Sequence, residues 1–421
     1  MAAISDDLIT QCMHCGLCLP VCPTYALTGL ERSSPRGRIR LMKSVMNGTI
    51  PISHTFVDEM NFCLDCQACE TACPAGVKYG ELVESARVFI EEDRKSFSLK
   101  TFILKNIVVK KRVLCFAAAT LKFYQKSGME KAALGLLRLF SRGLYNRVKL
   151  LPRISNEFAL DALPEIMEPT HPAEARGTVA VLTGCVMDVF YADINKDTVD
   201  VLLENGWRVV VPQDQVCCGS LNAHNGDGDS PKFLAKKNIE VFEKSGAEYY
   251  VINSAGCGAF MKQYGEVLTD DPDFAERAKR FSSKVKDFSE FLFQTGYKKP
   301  SAKIENATVY HEACHLVHAQ KVSAEPRAIV KEMAGDNFCE LNEATWCCGS
   351  AGIYNVVRYD DASKLLDRKL ENIKASGART IITGNPGCMA QIMSGIKSEK
   401  MDAEVVHPAT VLNRLYKMGK A

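Results

Sequence analysis

Eight cysteines fall into two copies of one spacing. The first run is Cys12-Met-His-Cys15-Gly-Leu-Cys18-Leu-Pro-Val-Cys22-Pro23, and the second is Cys63-Leu-Asp-Cys66-Gln-Ala-Cys69-Glu-Thr-Ala-Cys73-Pro74. Both read C-x2-C-x2-C-x3-C-P, the spacing of chains that hold two [4Fe–4S] cubanes. Three thiolates at that interval wrap one cube in a tight loop. The fourth, followed by proline, starts a departing segment and reaches the other cluster. The spacing therefore pairs Cys12, Cys15, Cys18 and Cys73 on one cubane, and Cys22, Cys63, Cys66 and Cys69 on the other. A pair of zinc knuckles is the competing reading. Zinc sites present pairs of C-x2-C more often than a run of four that ends in Cys-Pro.

The rest of the chain must accommodate those clusters. Its 421 residues suffice for about three domains at ~150 residues each. Eighteen cysteines with metal-ligand spacing suit a reducing compartment better than a disulfide framework. The N-terminal Met-Ala-Ala-Ile-Ser-Asp-Asp shows no basic region followed by an apolar one, and no stretch reaches the ~18 consecutive apolar residues of a membrane span. A cytoplasmic protein is the expectation.

Four regions are expected: 1–95, 96–176, 177–300 and 301–421. The first is a small α-helical two-cluster unit. Its Ser34-Pro35-Arg36-Gly37-Arg38-Ile39-Arg40 starts a helix. Those arginines either stabilise a reduced, anionic cluster or form a solvated basic face. The second region holds twelve Lys/Arg between Phe97 and Leu150 against one acidic residue, Glu130, in a chain whose net charge is only +2. Apolar residues interleave at helical intervals. Such amphipathic basic helices suit an anionic membrane interface or an acidic partner subunit. Nucleic acid is not expected, because no aromatic platform accompanies the charge. Residues 151–176, rich in Pro, Glu and Asp, read as a linker. Cys115 is expected to be buried, and Cys339 to be plain core.

From Gly177 the pattern becomes α/β, and it is spoken twice. Strand-like runs lead to Cys185, to the Cys217–Cys218 pair and to Cys257. The same order then leads to Cys314, to Cys347–Cys348 and to Cys388. The near-constant register of these residues over half the chain marks an internal duplication. Parallel strands gather ligands at their carboxyl ends, so each set of four thiolates can converge on one point. A further iron–sulfur cluster, a zinc site or free thiols fit each set. The fold class is therefore α+β overall, an α-helical N-terminal unit followed by duplicated α/β domains.

These repeats resemble the cysteine-rich CCG domains of heterodisulfide reductase and of the iron–sulfur subunits of glycolate oxidase and anaerobic glycerol-3-phosphate dehydrogenase. The two N-terminal runs resemble those of bacterial ferredoxins. Ser34-Pro-Arg-Gly-Arg-Ile39, Ser254-Ala-Gly-Cys-Gly-Ala-Phe260, His318-Ala-Gln-Lys321 and Cys347-Cys-Gly-Ser-Ala-Gly352 are similar specifically to the glycolate oxidase iron–sulfur subunit family. One departure stands out. Heterodisulfide reductase repeats end in Cys-x-x-Cys, and here the first of those positions is Ser254 in one repeat and Asn385 in the other. That puts a noncubane cluster and disulfide reduction in doubt.

The resemblance implies two [4Fe–4S] clusters, with one or two further clusters in the repeats, in an electron-transfer subunit. Its partners would be FAD-containing glycolate oxidase-type subunits, and its acceptor a quinone at the inner face of the cytoplasmic membrane. Lactate and glycerol-3-phosphate are the alternative substrates. No G-x-G-x-x-G follows a strand here, so no flavin is expected in this chain. A second reading makes the chain itself a disulfide or quinone reductase, with His311, His315 and His318 supplying protons. A third makes it a zinc-binding regulatory or assembly protein.

Overall fold

The computed structural model describes residues 4–94 and 96–420; the first three residues of the N-terminal stretch read above lie outside them. Residues up to Asp93 are helical, as the sequence pattern requires. The helix Pro35–Met46 starts where Ser34 caps it: the serine hydroxyl accepts from Gly37 N at 3.1 Å, and proline occupies the first turn. Gly37 cannot be larger, because a Cβ there would lie 1.9 Å from the Glu31 carbonyl. This helix and Tyr79–Asp93 bury Met42, Leu82, Val83 and Ala86 around Phe56 and Met60.

The basic segment folds as a string of helices, Leu99–Ile103, a π-helical turn Leu104–Val108, Lys111–Lys126, Met129–Phe140 and Arg142–Lys149. Lys111–Lys126 packs through Leu114, Ala118 and Leu121 against Ile154 and Val189. Cys115 is only half-buried there, so its expected burial is not met. The stretch read as a linker also does more than connect. Its Ile166–Met167 (β1) pairs antiparallel with the edge of the first sheet.

That sheet contains Gly177–Leu182 (β2), Trp207–Val210 (β3), Tyr249–Ile252 (β4) and Val285–Asp287 (β5), in the order β1-β3-β2-β4-β5, parallel apart from β1. The second sheet holds Thr308–Tyr310 (β6), Thr380–Ile382 (β7) and Glu404–Val406 (β8), all parallel. The strand-like run that leads to Cys347–Cys348, Phe338 to Leu341, shrinks to a single parallel bridge, Thr308 with Phe338. That bridge is the counterpart of Thr178 with Arg208 in the first sheet, so the register of the duplication is preserved. The strand is shorter for two reasons. Phe-Cys-Glu-Leu lacks the β-branched residues of Trp-Arg-Val-Val, and among the described residues no outer strand such as β1 braces it. Cys339 is half-buried at this edge rather than inside the core.

One core joins the repeats. Val179 and Val181 of the first sheet, and Tyr310, Ile382 and Val406 of the second, pack into a single cluster with the helices Phe288–Thr295 and Pro408–Met418. The carboxyl ends of both sheets are thereby held toward one another and toward the N-terminal unit.

Candidate metal centre

The two N-terminal loops have the same backbone. His14 and Gly16 in the first, and Asp65 and Gln67 in the second, hold φ between +53° and +88°. These are corresponding positions. Left-handed residues between the cysteines turn the chain tightly enough for successive thiols to face one point. Cys22 leaves the first loop as the residue before helix Pro23–Thr28. It lies in one small cavity with Cys63, Cys66 and Cys69 of the second. Cys12, Cys18 and Cys73 are half-buried against the same apolar cluster, and Cys15 is exposed.

The arginines of the helix start divide. Arg36 pairs with Glu31 and donates to the His14 carbonyl at 3.0 Å, bracing the first loop. Arg38 is fully buried in the wall of the Cys22–Cys63–Cys66–Cys69 cavity. Its Nε donates to the Glu59 carbonyl at 2.7 Å and its Nη2 to Thr24 Oγ1 at 3.0 Å. Its Nη1 finds no partner among the described residues. Arg40 is exposed. Only that last residue fits the solvated face.

The duplicated cysteines converge further than expected. Cys185, Cys217, Cys218 and Cys257, and Cys314, Cys347, Cys348 and Cys388, all line one cavity of about 540 Å³. Cys63 and Asp65 of the N-terminal unit complete its wall. In each repeat the thiols form a string. Cys185 Sγ lies 3.4 Å from Cys217 Sγ, Cys217 contacts Cys218, and Cys218 contacts Cys257. Cys314, Cys347, Cys348 and Cys388 repeat the string. Gly219 and Gly349, each at φ near +90°, turn their amides onto Cys217 Sγ and Cys347 Sγ at 3.5 Å. A Cβ on Gly349 would lie 2.6 Å from the Ala362 carbonyl.

Such strings compete for protons. Hydrogen bonds from Cys185 and Cys218 lower the Cys217 thiol, whereas hydrogen bonding to Cys217 and burial push Cys185 up. A thiophilic metal removes the conflict by taking all four as thiolates. The two departures from Cys-x-x-Cys support the strings without joining them. Ser254 hydrogen-bonds Cys257. Asn385 Nδ2 lies 3.5 Å from Cys388 Sγ while its Oδ1 accepts from Gly256 N at 3.3 Å, tying the repeats together.

The N-terminal unit meets this cavity through buried charge. His224 lies 3.0 Å from Asp65 and against Glu84, and Arg87 lies 3.8 Å from Asp65. Burial alone would lower the imidazole, but Glu84 and Asp65 hold it up, at about 10. Burial alone would raise Asp65, but His224 and Arg87 hold it at about 2. Arg87 also donates to the carbonyls of Met60, Cys63 and His224. His315 Nε2 and the Asp65 carbonyl are 2.8 Å apart, and His318 Nδ1 and Thr71 Oγ1 are 3.0 Å apart. Cys66 lies in one apolar cluster with Cys347 and Cys314. Glu84 and Arg87 share the helix Tyr79–Asp93, and His224 follows the turn Ser220–Ala223; they carry no spacing signal because those two elements meet only when folded.

A helical pair of cysteine runs, joined to two cysteine-lined α/β repeats, defines an iron–sulfur electron-transfer protein. Comparison agrees. Residues 8–77 match the 4Fe-4S dicluster domain, and residues 179–262 and 308–393 match the cysteine-rich domain. The chain is 37% identical to the probable glycolate oxidase iron-sulfur subunit of Bacillus subtilis (strain 168), over 97% of this chain and 94% of that one. It is 29% identical to the glycolate oxidase iron-sulfur subunit of Escherichia coli (strain K12), over 96% and 95%. Lactate utilization protein A of Shouchella clausii (strain KSM-K16) is 30% identical over 56% of this chain and 98% of its own length. The chain belongs to the glycolate oxidase iron–sulfur subunit family, and iron–sulfur clusters are its cofactors.

Proposed function

We propose that this chain conducts electrons from flavin-containing subunits that oxidise glycolate to a quinone or similar acceptor at a membrane surface. One observation carries the reading: Cys66 of the N-terminal unit lies in one apolar cluster with Cys347 and Cys314 of the second repeat. In this reading Cys12, Cys15, Cys18 and Cys73 hold one cubane, and Cys22, Cys63, Cys66 and Cys69 the other. Cys185, Cys217, Cys218 and Cys257 hold a further centre, as do Cys314, Cys347, Cys348 and Cys388. Bound clusters supply one-electron chemistry, and the protein's part is to hold them close, dry and oriented.

The membrane side falls to residues 97–150. Phe116, Leu139 and Phe140 are 75–81% exposed, beside exposed Lys131 and Arg138. Apolar and basic groups that share one outer surface suit the interface of an anionic bilayer. No helix among the described residues is long and apolar enough to cross a membrane. The similarity to lactate utilization protein A favours lactate as the second substrate reading.

Anaerobic purification with partner subunits tests the function. Glycolate should bleach the iron–sulfur absorbance through those subunits, and iron should exceed what two cubanes account for. Zinc in place of iron, or clusters that no 2-hydroxy acid reduces, would refute it.

A further inference from the structure

The two repeats are not chemically equal. At the register set by Cys185 and Cys314, the second repeat places His311, His315 and His318 where the first has Leu182, Val186 and Val189. Two of the three histidines are engaged outside the repeat, His315 with the Asp65 carbonyl and His318 with Thr71. His311 is not. It is fully buried just after β6; its ring meets the Ala344 backbone, but neither ring nitrogen completes a hydrogen bond among the described residues. A buried polar ring with unmet hydrogen bonds is costly to the fold. The side chain therefore calls for a ligand. A ring nitrogen of His311 and the Sγ atoms of Cys348 and Cys388 lie within 4.8 Å of one another, a separation that one metal ion, or adjacent irons of a cluster, can bridge.

We propose that His311 is a metal ligand of the second repeat, so that this repeat holds an imidazole-ligated iron–sulfur centre while the first holds one ligated by thiolates alone. The proposal rests on the reading of the repeats as iron sites. Lys369 is the charged group that faces the ring, and a neutral imidazole is the form that binds metal. Lys369 is itself anchored on the Glu343 and Ala344 carbonyls. Imidazole adds a neutral nitrogen donor beside the thiolates, for which the first repeat has no counterpart.

The test is pulsed EPR on the full chain, loaded with iron anaerobically and reduced with dithionite. The second repeat's signal is identified as the one that Cys348→Ser abolishes. That signal should carry histidine nitrogen modulation, which changes when the protein is made with 15N-histidine. It should lose the modulation in His311→Ala and keep it in His315→Gln. The isotope comparison needs no substitution, so it stands even if His311→Ala fails to fold. A second-repeat signal without histidine coupling, or coupling that survives His311→Ala, overturns the proposal and leaves the iron reading intact. Iron no greater than two cubanes require, with no signal sensitive to Cys348→Ser, overturns both.

Discussion

Single buried charges and rings set much of what this chain can do. Arg38 is one of several arginines in a basic run, and only burial separates it from Arg40. Replacing it with methionine breaks its 3.5 Å pair with Glu59, leaves that buried carboxylate with only the exposed Arg32 as its cation, and removes a positive group from the wall around Cys22 and Cys63. Breaking a buried pair in this way costs about 3–5 kcal/mol. Denaturant unfolding of Arg38→Met should show that loss, and a redox titration should show one cubane at a lower potential with the other unchanged. His407 gives a pH signature. It is buried, its Nδ1 accepts from Ala409 N at 3.1 Å and its Nε2 lies 3.0 Å from the Asn253 carbonyl. Burial lowers its pKa to about 4, against about 6.5 in the unfolded chain. The folded state thus binds fewer protons between those values. Its contribution is complete above about pH 6.5 and is lost as pH falls toward 4. His407→Gln should therefore lose about 1 kcal/mol less stability than the parent between pH 7 and pH 5.5, measured as the pH dependence of Tm.

At the scale of elements, the helix Met129–Phe140 is the informative one. A helix whose large apolar residues face solvent either has a covering surface or reduces solubility. Leu139→Glu and Phe140→Glu alter residues that are 81% exposed, so Tm should change little. Flotation with phosphatidylglycerol-containing vesicles should fall severalfold in the double variant, and binding of the parent should weaken as salt rises. Equal flotation by parent and variant would place the contact elsewhere. The linker shows a different element-scale effect. Ile166–Met167 reads as connection because it is short, yet it completes a sheet edge. Two residues carry too little periodicity to be recognised as a strand.

At the scale of the molecule, the Asp65–His224–Glu84 cluster is the junction between the N-terminal unit and the repeats. His224→Ala would leave two carboxylates buried against Arg87 alone. The expected result is a loss of about 3–5 kcal/mol, with faster amide exchange in residues 63–67 and 222–226 and unchanged exchange in β2 and β4. Uniform exchange rates across the chain would show that the junction does not depend on this cluster.

The sequence alone determined the two cysteine runs, the duplication, the α/β pattern after Gly177 and the basic character of residues 97–150. Each is written in short-range spacing: ligand loops are a few residues long, and strand and helix periods repeat within a dozen. It also pointed to the family, through motifs that lie within single loops. Only the tertiary structure decided that both sets of repeat cysteines face one cavity, that Cys66 shares a cluster with Cys314 and Cys347, that Arg38 rather than Arg40 is buried, and that His311, unlike His315 and His318, completes no ring hydrogen bond among the described residues. Those facts depend on which faces of three packed units meet. Contacts between residues two or three hundred positions apart are fixed by the burial of a shared core, and no local spacing encodes them.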